Sequence, residues 1–198
     1  MHSTSTSLSR RQGGTTLIEV MVAILVLSIA LLGIAGLTSA SMRYSQGSWA
    51  RASVASALTD LADRVRTNPA ATATAYVQST ADYSAQQVAT YASSSPPDCS
   101  STTCTPADMA AYQLEQWRLS VKRNLPSSAI WVSGSRDTGY QATVMWFDKS
   151  FVKADGTTLD TSTTCATSIT NAMAQRNCCP SGAAVPDGVR CTNMTIVP

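Results

Sequence analysis

The sequence contains almost none of the residue type that most often serves acid–base chemistry in proteins. Its single histidine is His2, close to the start of the 198-residue chain. If an N-terminal leader is removed, no histidine is left. This excludes histidine-based proton transfer, Ser-His or Cys-His nucleophiles and histidine-ligated metals. We therefore predict that the chain is not an enzyme and binds no cofactor.

Charge is also scarce, since charged residues make up 13% of the chain. Arg10 and Arg11 fall in the proposed leader, and without them the remaining 12 basic and 12 acidic side chains balance. No overall positive field points to nucleic acid. The residues that would carry a local DNA-binding strip are Arg118, Lys122, Arg123 and Arg136, and the simpler interpretation of this group is a solvated helix face.

Cysteine is absent from the first 98 residues and occurs six times after them, at Cys99, Cys104, Cys165, Cys178, Cys179 and Cys191. An even number in an exported chain predicts disulfides. The favoured pairing is Cys99–Cys104, Cys165–Cys178 and Cys179–Cys191, and the alternative joins Cys165 to Cys179 and Cys178 to Cys191. The spacings do not form a zinc ribbon, and Asp148, Asp155 and Asp160 do not match an EF-hand loop, so no metal site is expected.

The N-terminus is a short polar stretch followed by a long apolar one. Residues 1–14 end in two glycines, and the 21 residues from Leu17 to Leu37 are apolar apart mainly from Glu19 and Ser28. About 20 such residues span a bilayer as a helix, and the preceding arginines favour a cytoplasmic leader and an outer location for residues 43–198. A secretory signal has a shorter apolar core, and neither it nor a plain anchor accounts for a carboxylate that needs a partner in lipid.

The position of Glu19 suggests that partner. Cleavage after Gly14 would create an amine on Thr15, and residues four apart share one face of a helix. The amine of the same or a neighbouring subunit could then neutralise Glu19. In an apolar environment, such a pair gives alignment as well as energy.

The segment Gly14-Thr15-Thr16-Leu17-Ile18-Glu19-Val20 resembles the type IV prepilin motif. The resemblance implies cleavage by a prepilin peptidase after Gly14 and N-methylation of the new first residue, Thr15. The family usually has phenylalanine at that first position, so Thr15 is a departure from the pattern.

The helix is predicted to continue past the apolar stretch. Val54, Leu58, Leu61 and Val65 recur at helical spacing, and Asn68-Pro69 is a natural stop. A helix over about residues 16–67 would be roughly 75 Å long. Two glycines in its apolar half, Gly33 and Gly36, indicate either close helix packing or a flexible stretch that melts on assembly.

The remainder is predicted to be mixed. Residues 70–105 are expected to form a surface segment partly ordered by tyrosines (Tyr76, Tyr83 and Tyr91). A helix should start with Thr105 as its N-cap and carry an apolar stripe of Ala110, Leu114, Trp117, Val121 and Leu125. Strands are predicted over Ala129–Ser133, Tyr140–Phe147 and Asn193–Val197, with a further hairpin turn at Asp155-Gly156. Tyr140, Ala142, Val144 and Trp146 should form the core face of the central strand.

Two parts of the chain resemble the PilV family of minor pilins. One runs from Trp117 through Asn124-Leu125-Pro126 to Tyr140–Asp148, and the other is the apolar N-terminal run. The resemblance implies an α+β type IV pilin-like fold, in which a long N-terminal helix packs on a small antiparallel-sheet head with disulfide-bonded loops. The implied divisions are a leader (1–14), a transmembrane and filament-core helix (15–40), its amphipathic second half (41–68) and a periplasmic head (69–198).

The implied role is structural, in pilus assembly or priming that supports adhesion and twitching motility. Its partners would be other minor pilins, the major pilin, the prepilin peptidase, the inner-membrane assembly platform and a pilus-tip adhesin. The chain would lie in the inner membrane before it enters the pilus. The alternatives are a type II secretion pseudopilin, a DNA-binding pilin for uptake, and a membrane-anchored periplasmic enzyme, for which no catalytic constellation is visible.

Overall fold

The structure is a computed structural model that describes residues 16–198. Four α-helices, one 3-10 turn and three strands occur in this part of the chain. The helices are α1 (Leu17–Thr67), α2 (Tyr83–Gln87), α3 (Pro106–Asn124) and α4 (Ala172–Asn177), and the strands are β1 (Ser128–Ser135), β2 (Gly139–Phe147) and β3 (Val189–Ile196). The described residues divide into two units, one ending at Tyr44 and the other, called the head unit below, beginning at Ser45.

The first unit consists of the apolar part of α1. Each large apolar side chain from Leu17 to Leu37 is exposed, from 46% for Val20 to 78% for Leu17. By length and composition this helix could cross a membrane, since its most apolar window has a mean hydropathy of 2.8. A chain that buries none of this surface by itself must cover it with lipid or with other chains.

The head unit is built on a three-stranded antiparallel sheet in the order β1-β2-β3. The register places Ala142 of β2 opposite Val132 of β1 on one side and opposite Met194 of β3 on the other. Gly134 and Gly139 flank the β1–β2 turn with φ values of +96° and +88°. Long helix, small antiparallel sheet and disulfides together confirm the predicted α+β class.

One face of the sheet packs against the helices of the head unit. The stripe predicted on α1 is buried here, with Leu61 and Val65 fully inaccessible to solvent. It shares a core cluster with the predicted α3 stripe and with the predicted core face of β2, namely Tyr140, Ala142, Val144 and Trp146. The periodicity of both helices therefore correctly identified the surfaces that meet in the core.

Helix α3 begins as its sequence predicts. The Thr105 hydroxyl oxygen accepts a hydrogen bond from the Asp108 backbone N–H and donates one to the Asp108 carboxylate at 2.7 Å. Pro106 occupies the first turn, where the missing N–H costs nothing. The Trp117 indole N–H donates to the Ala57 carbonyl at 2.6 Å, which ties α3 to α1.

Three predictions about the head need correction. The last strand begins at Val189 rather than at Asn193 and ends at Ile196, because Arg190 and Thr192 interrupt the apolar pattern but still pair with β2. Residues 70–105 are not wholly a surface segment, since Tyr76 and Tyr83 are buried and α2 forms within them. Asp155-Gly156 makes a turn, but only an isolated bridge between Val152 and Leu159 accompanies it.

Candidate functional site

The candidate assembly site lies at the start of α1. Glu19 is in the first helical turn and its side chain is exposed. Its backbone N–H donates to the Thr16 carbonyl at 3.0 Å, so the helix has already begun at this point. The other two residues of the site, Gly14 and Thr15, lie outside the described residues. The pairing of Glu19 with a Thr15 amine therefore stays a prediction.

The surroundings of Glu19 explain why a partner would matter. Glu19 lines one side of the helix together with four apolar residues, Val20, Ala23, Ile24 and Leu27, and all are exposed. None of the ion pairs formed within residues 16–198 includes Glu19. Once lipid or neighbouring helices cover this surface, the carboxylate needs a positive charge or a hydrogen-bond donor from outside its own helix.

Gly33 and Gly36 lie within the uninterrupted helix. Apart from its chain neighbours and the backbone of its own helix, a Cβ added at either position would meet no described atom within 4 Å. Their small size is therefore not required by any contact within the described chain. Both earlier interpretations, close packing against another helix and local flexibility, depend on an assembled state.

Three disulfides stabilise the head unit. Cys99 bonds to Cys104, Cys165 to Cys178 and Cys179 to Cys191, with Cα–Cα distances of 5.6, 4.8 and 5.3 Å. These pairs are the favoured set considered above. The third bridge is buried and fastens the C-terminal loop to β3, where Cys179 and Cys191 join a second core cluster.

This second cluster covers the other face of the sheet. Met145 is fully buried there with Tyr83, Ala183 and Val189. Sequence alternation predicted burial for one face of β2 only. The second face is buried because loops held by disulfides fold over it. The local pattern of residues in β2 does not predict this burial.

A buried ion pair holds the segment after α2 against α3. Arg118 donates to both carboxylate oxygens of Glu115, at 2.9 and 2.6 Å, and the two side chains are only 6% and 12% exposed. The Ser93 backbone N–H also donates to Glu115 at 3.1 Å, and the guanidinium lies over the ring of Tyr91. Burial favours a higher pKa for Glu115, but the hydrogen bonds from Arg118 and Ser93 and the nearby positive charge outweigh it, so this pKa lies below its usual value.

The four basic residues considered for DNA binding do not form a free strip. Arg118 is buried in the ion pair, and Arg136 donates to the Asn68 carbonyl at 2.8 Å. Lys122 is half-buried and donates to the Gln86 carbonyl at 3.4 Å. Of the four, only Arg123 is exposed. A DNA-binding interpretation of these residues is therefore not supported.

Sequence reasoning missed two polar residues that organise the sheet. Gln86 is 2% exposed, and its amide both accepts from the Ile130 N–H and donates to the Ile130 carbonyl at 2.9 Å. Asn193 donates to the carbonyls of Gln175 and Cys178 and accepts from the Thr143 hydroxyl. The burial of these two side chains could not be predicted from the sequence. A side-chain amide in a polar stretch can face solvent or bind a distant backbone group, and the neighbouring residues do not distinguish the two cases.

Residues 16–198 contain no cluster of three or more His, Cys, Asp or Glu side chains arranged to hold a metal ion.

Two protein-family models match the chain. Residues 9–35 match the prokaryotic N-terminal methylation motif, and residues 37–115 match the model for the type IV pilin Tt1218. No curated protein and no solved structure matched. The first match covers the proposed cleavage site and most of the apolar stretch, and the second covers the rest of α1 and the first half of α3. Together they support a type IV pilin precursor that is a subunit of a pilus or pseudopilus, in a family that is structural rather than enzymatic.

Proposed function

We propose that this chain is a minor pilin of the PilV family, a structural subunit that helps to assemble or prime a type IV pilus. The observation that carries the proposal is the difference in burial between the two parts of α1. Its first part exposes an apolar surface that lies mostly within the match to the methylation motif, and its second part buries Leu58, Leu61 and Val65 in the head. A helix of this kind both anchors a precursor and packs in a filament.

The proposed life cycle begins in the inner membrane. Residues 15–40 span the bilayer, Arg10 and Arg11 keep the leader in the cytoplasm, and the head of residues 69–198, carried on helix residues 41–68, lies in the periplasm. An oxidising periplasm is consistent with the three disulfides. A prepilin peptidase removes residues 1–14, and the new N-terminus at Thr15 is then methylated.

Assembly depends on electrostatic pairing within an apolar bundle. Glu19 pairs with the Thr15 amine of a neighbouring subunit, which places adjacent helices in register. A misplaced subunit would leave a carboxylate uncompensated in a medium of low dielectric, at a cost of several kcal/mol. Gly33 and Gly36 allow close helix contact or local unwinding as the helix moves from lipid into the filament.

The head unit selects partners. We propose that these are other minor pilins and the major pilin, brought together at the inner-membrane assembly platform, with a tip adhesin as a further candidate. Adhesion and twitching motility would follow from the pilus as a whole. A type II secretion pseudopilin uses the same helix, so deletion is the discriminating test: loss of surface pili supports the proposal, and loss of protein secretion with pili intact refutes it.

The assembly mechanism is tested with Glu19→Ala, using Ser28→Ala as the matched control. Ser28 is an exposed polar residue on the same helix, and among residues 16–198 its hydroxyl bonds only to the Leu25 carbonyl. We expect Glu19→Ala to be processed normally, with the intact mass of cleaved protein, but to be depleted in sheared pili at least tenfold. The control should enter pili as the wild type does. Equal recruitment of both variants would refute the charge pairing.

Cleavage is tested separately with Gly14→Leu, a bulky replacement at the proposed junction. We expect an unprocessed precursor in the membrane fraction, detected as a band of higher mass on a gel. Normal processing of this variant would show that the cut lies elsewhere.

A further inference from the structure

Arg43 ends the longest uncharged stretch of the chain. The 23 residues from Val20 to Met42 carry no charge, so Arg43 is the first ionic side chain after Glu19. Arg43 is exposed, and none of the ion pairs formed within residues 16–198 includes it. A guanidinium is always charged and binds carboxylate or phosphate groups through two parallel hydrogen bonds. Arg43 can therefore bind an anion that lies outside its own chain.

Two exposed residues with apolar side-chain surface flank Arg43. Met42 is 66% exposed, and Tyr44, at 82%, is the most exposed large hydrophobic residue in the described chain. A tyrosine ring is apolar along its body and polar at its hydroxyl, and arginine joins an apolar stem to a charged head. Side chains of this kind favour the boundary between a membrane and water. Residues 42–44 thus have the composition of a membrane-interface segment.

The spacing along α1 places this segment at such a boundary. The apolar stretch from Leu17 to Leu37 covers 20 helical steps, or about 30 Å, which matches the hydrocarbon thickness of a bilayer. The polar headgroup layer adds about 5–8 Å on each side. Arg43 and Tyr44 lie six and seven steps beyond Leu37, or about 9–10 Å, so their backbone reaches the outer margin of that layer.

Helix geometry directs both side chains back toward the headgroups. Each Cα–Cβ bond of an α-helix tilts toward the N-terminus, and a long side chain covers the turn that precedes its own Cα. For Arg43 and Tyr44 that turn contains Ser39, Ala40 and Ser41, which are small and exposed. A headgroup can approach this turn closely because none of these three side chains is large.

A lipid layer fits this segment better than the face of another protein. Successive helix residues point about 100° apart, so Met42, Arg43 and Tyr44 together face more than half of the helix circumference. All residues from Thr38 to Gln46 are exposed as well. A single protein surface contacts one side of a helix, whereas lipid headgroups surround it.

We propose that Arg43 and Tyr44 bind phospholipid headgroups of the outer leaflet while the chain is anchored in the membrane, and that this contact sets the depth of α1. This inference rests on the proposed function as a pilin precursor. Arg43 donates to the headgroup phosphate, and the Tyr44 ring packs at the boundary with its hydroxyl toward water. Glu19 lies 24 steps before Arg43, or about 36 Å, so the contact holds its carboxylate at the inner hydrocarbon boundary and away from the bilayer centre, where its cost is greatest.

The test uses the full chain in vesicles of phosphatidylethanolamine and phosphatidylglycerol. A photo-cross-linking aromatic amino acid is placed at Tyr44, and the matched control is placed at Trp49, which is 57% exposed and lies five residues later on the same helix. We expect at least fivefold more phospholipid adduct at position 44 than at position 49, measured by mass spectrometry of the labelled peptides. Adducts mainly to a second copy of the chain, equal lipid yields at the two positions, or no lipid adduct at position 44 would overturn the inference.

The charge of Arg43 is tested in the same vesicles with the probe at position 44. Arg43→Gln removes the charge, Arg43→Lys keeps it, and Arg51→Gln is the control, because Arg51 is also exposed and outside the ion pairs of residues 16–198. We expect Arg43→Gln to reduce the lipid adduct at least threefold, and Arg43→Lys and the control to retain most of it. No loss in Arg43→Gln, or an equal loss in Arg43→Lys, would contradict a charge contact with phosphate.

The depth of α1 is read from a cysteine introduced as Ser41→Cys, since the six native cysteines are all in disulfides. Its rate of alkylation by a membrane-impermeant maleimide is measured in sealed vesicles. We expect Arg43→Gln to slow this reaction at least threefold, because the uncharged segment sinks into the headgroup layer, and Arg51→Gln to leave the rate unchanged. An unchanged rate in Arg43→Gln would refute the depth-setting role.

Flotation of the vesicles separates failure of this inference from failure of the proposed function. A chain that does not float with the vesicles has no membrane anchor, which would refute the membrane stage of the proposed function and this contact together. A chain that floats but gives no lipid adduct at position 44 refutes the contact alone.

Discussion

The buried Gln86 amide provides the sharpest test of how the head unit is stabilised. Replacing it by methionine keeps the length and approximate volume of the side chain but removes its donor and acceptor. The Ile130 N–H and carbonyl, which Gln86 binds at 2.9 Å, would then be buried without partners. The bond from Gln86 to the Ala81 carbonyl at 3.0 Å is lost as well.

The expected magnitude follows from those two backbone groups. A buried polar group left without a partner costs about 1–3 kcal/mol, so two groups cost about 2–6 kcal/mol. Methionine regains part of this by burying more apolar surface. We therefore expect Gln86→Met to lower the free energy of unfolding by about 2–5 kcal/mol, a large share of the roughly 5–15 kcal/mol typical of a folded domain.

Gln87→Met is the matched control. Gln87 is next in sequence and only half-buried, and its amide donates to the Ser128 carbonyl at 3.1 Å. Because this control leaves one buried backbone group without a partner rather than two, it should lose less, about 1–3 kcal/mol. The assay is urea unfolding of the full chain in detergent micelles, followed by the fluorescence of the buried Trp117 and Trp146. A difference between the two variants below about 0.5 kcal/mol would refute the argument.

Two further perturbations test other parts of the head. In Gly134→Ala the new Cβ would lie 2.3 Å from the Gly139 carbonyl oxygen at a φ of +96°, whereas in Gly156→Ala the φ is positive but the surrounding space is open. Urea unfolding should show that Gly156→Ala lowers the free energy of unfolding by about 1 kcal/mol and that Gly134→Ala lowers it clearly more. Equal losses would contradict the steric argument. Because the pKa of Glu115 is lowered in the folded state, the ionised carboxylate stabilises the fold at pH values above its unfolded-state pKa near 4.5. This stabilisation is lost as the pH falls through the folded-state pKa. Stability measured from pH 7 to pH 3 should therefore fall more steeply in the wild type than in Glu115→Gln, which still faces Arg118, and parallel curves would contradict this linkage.

The N-terminal segment shows how much function a local sequence pattern can predict. The spacing of Glu19, one helical turn from a prospective amine at Thr15, predicts a charge partner, and the resemblance of residues 14–20 to the prepilin motif implies a filament-forming precursor. The match of residues 9–35 to the methylation motif agrees with that interpretation. The partners of this helix could not be predicted in the same way, because they lie on other chains.

The amino-acid sequence by itself determined the elements whose signals are local. Helical spacing specified the buried stripe of α1, and Thr105 with Pro106 specified the start of α3, because capping and amphipathic periodicity act over a few residues. The tertiary structure alone decided the rest. Burial of both faces of β2 and the pairing of the Gln86 amide with Ile130 both depend on which distant groups come together. Such long-range contacts are set by the packing of the whole head. A hydrogen bond between residues 44 positions apart therefore cannot be predicted from the sequence around either residue.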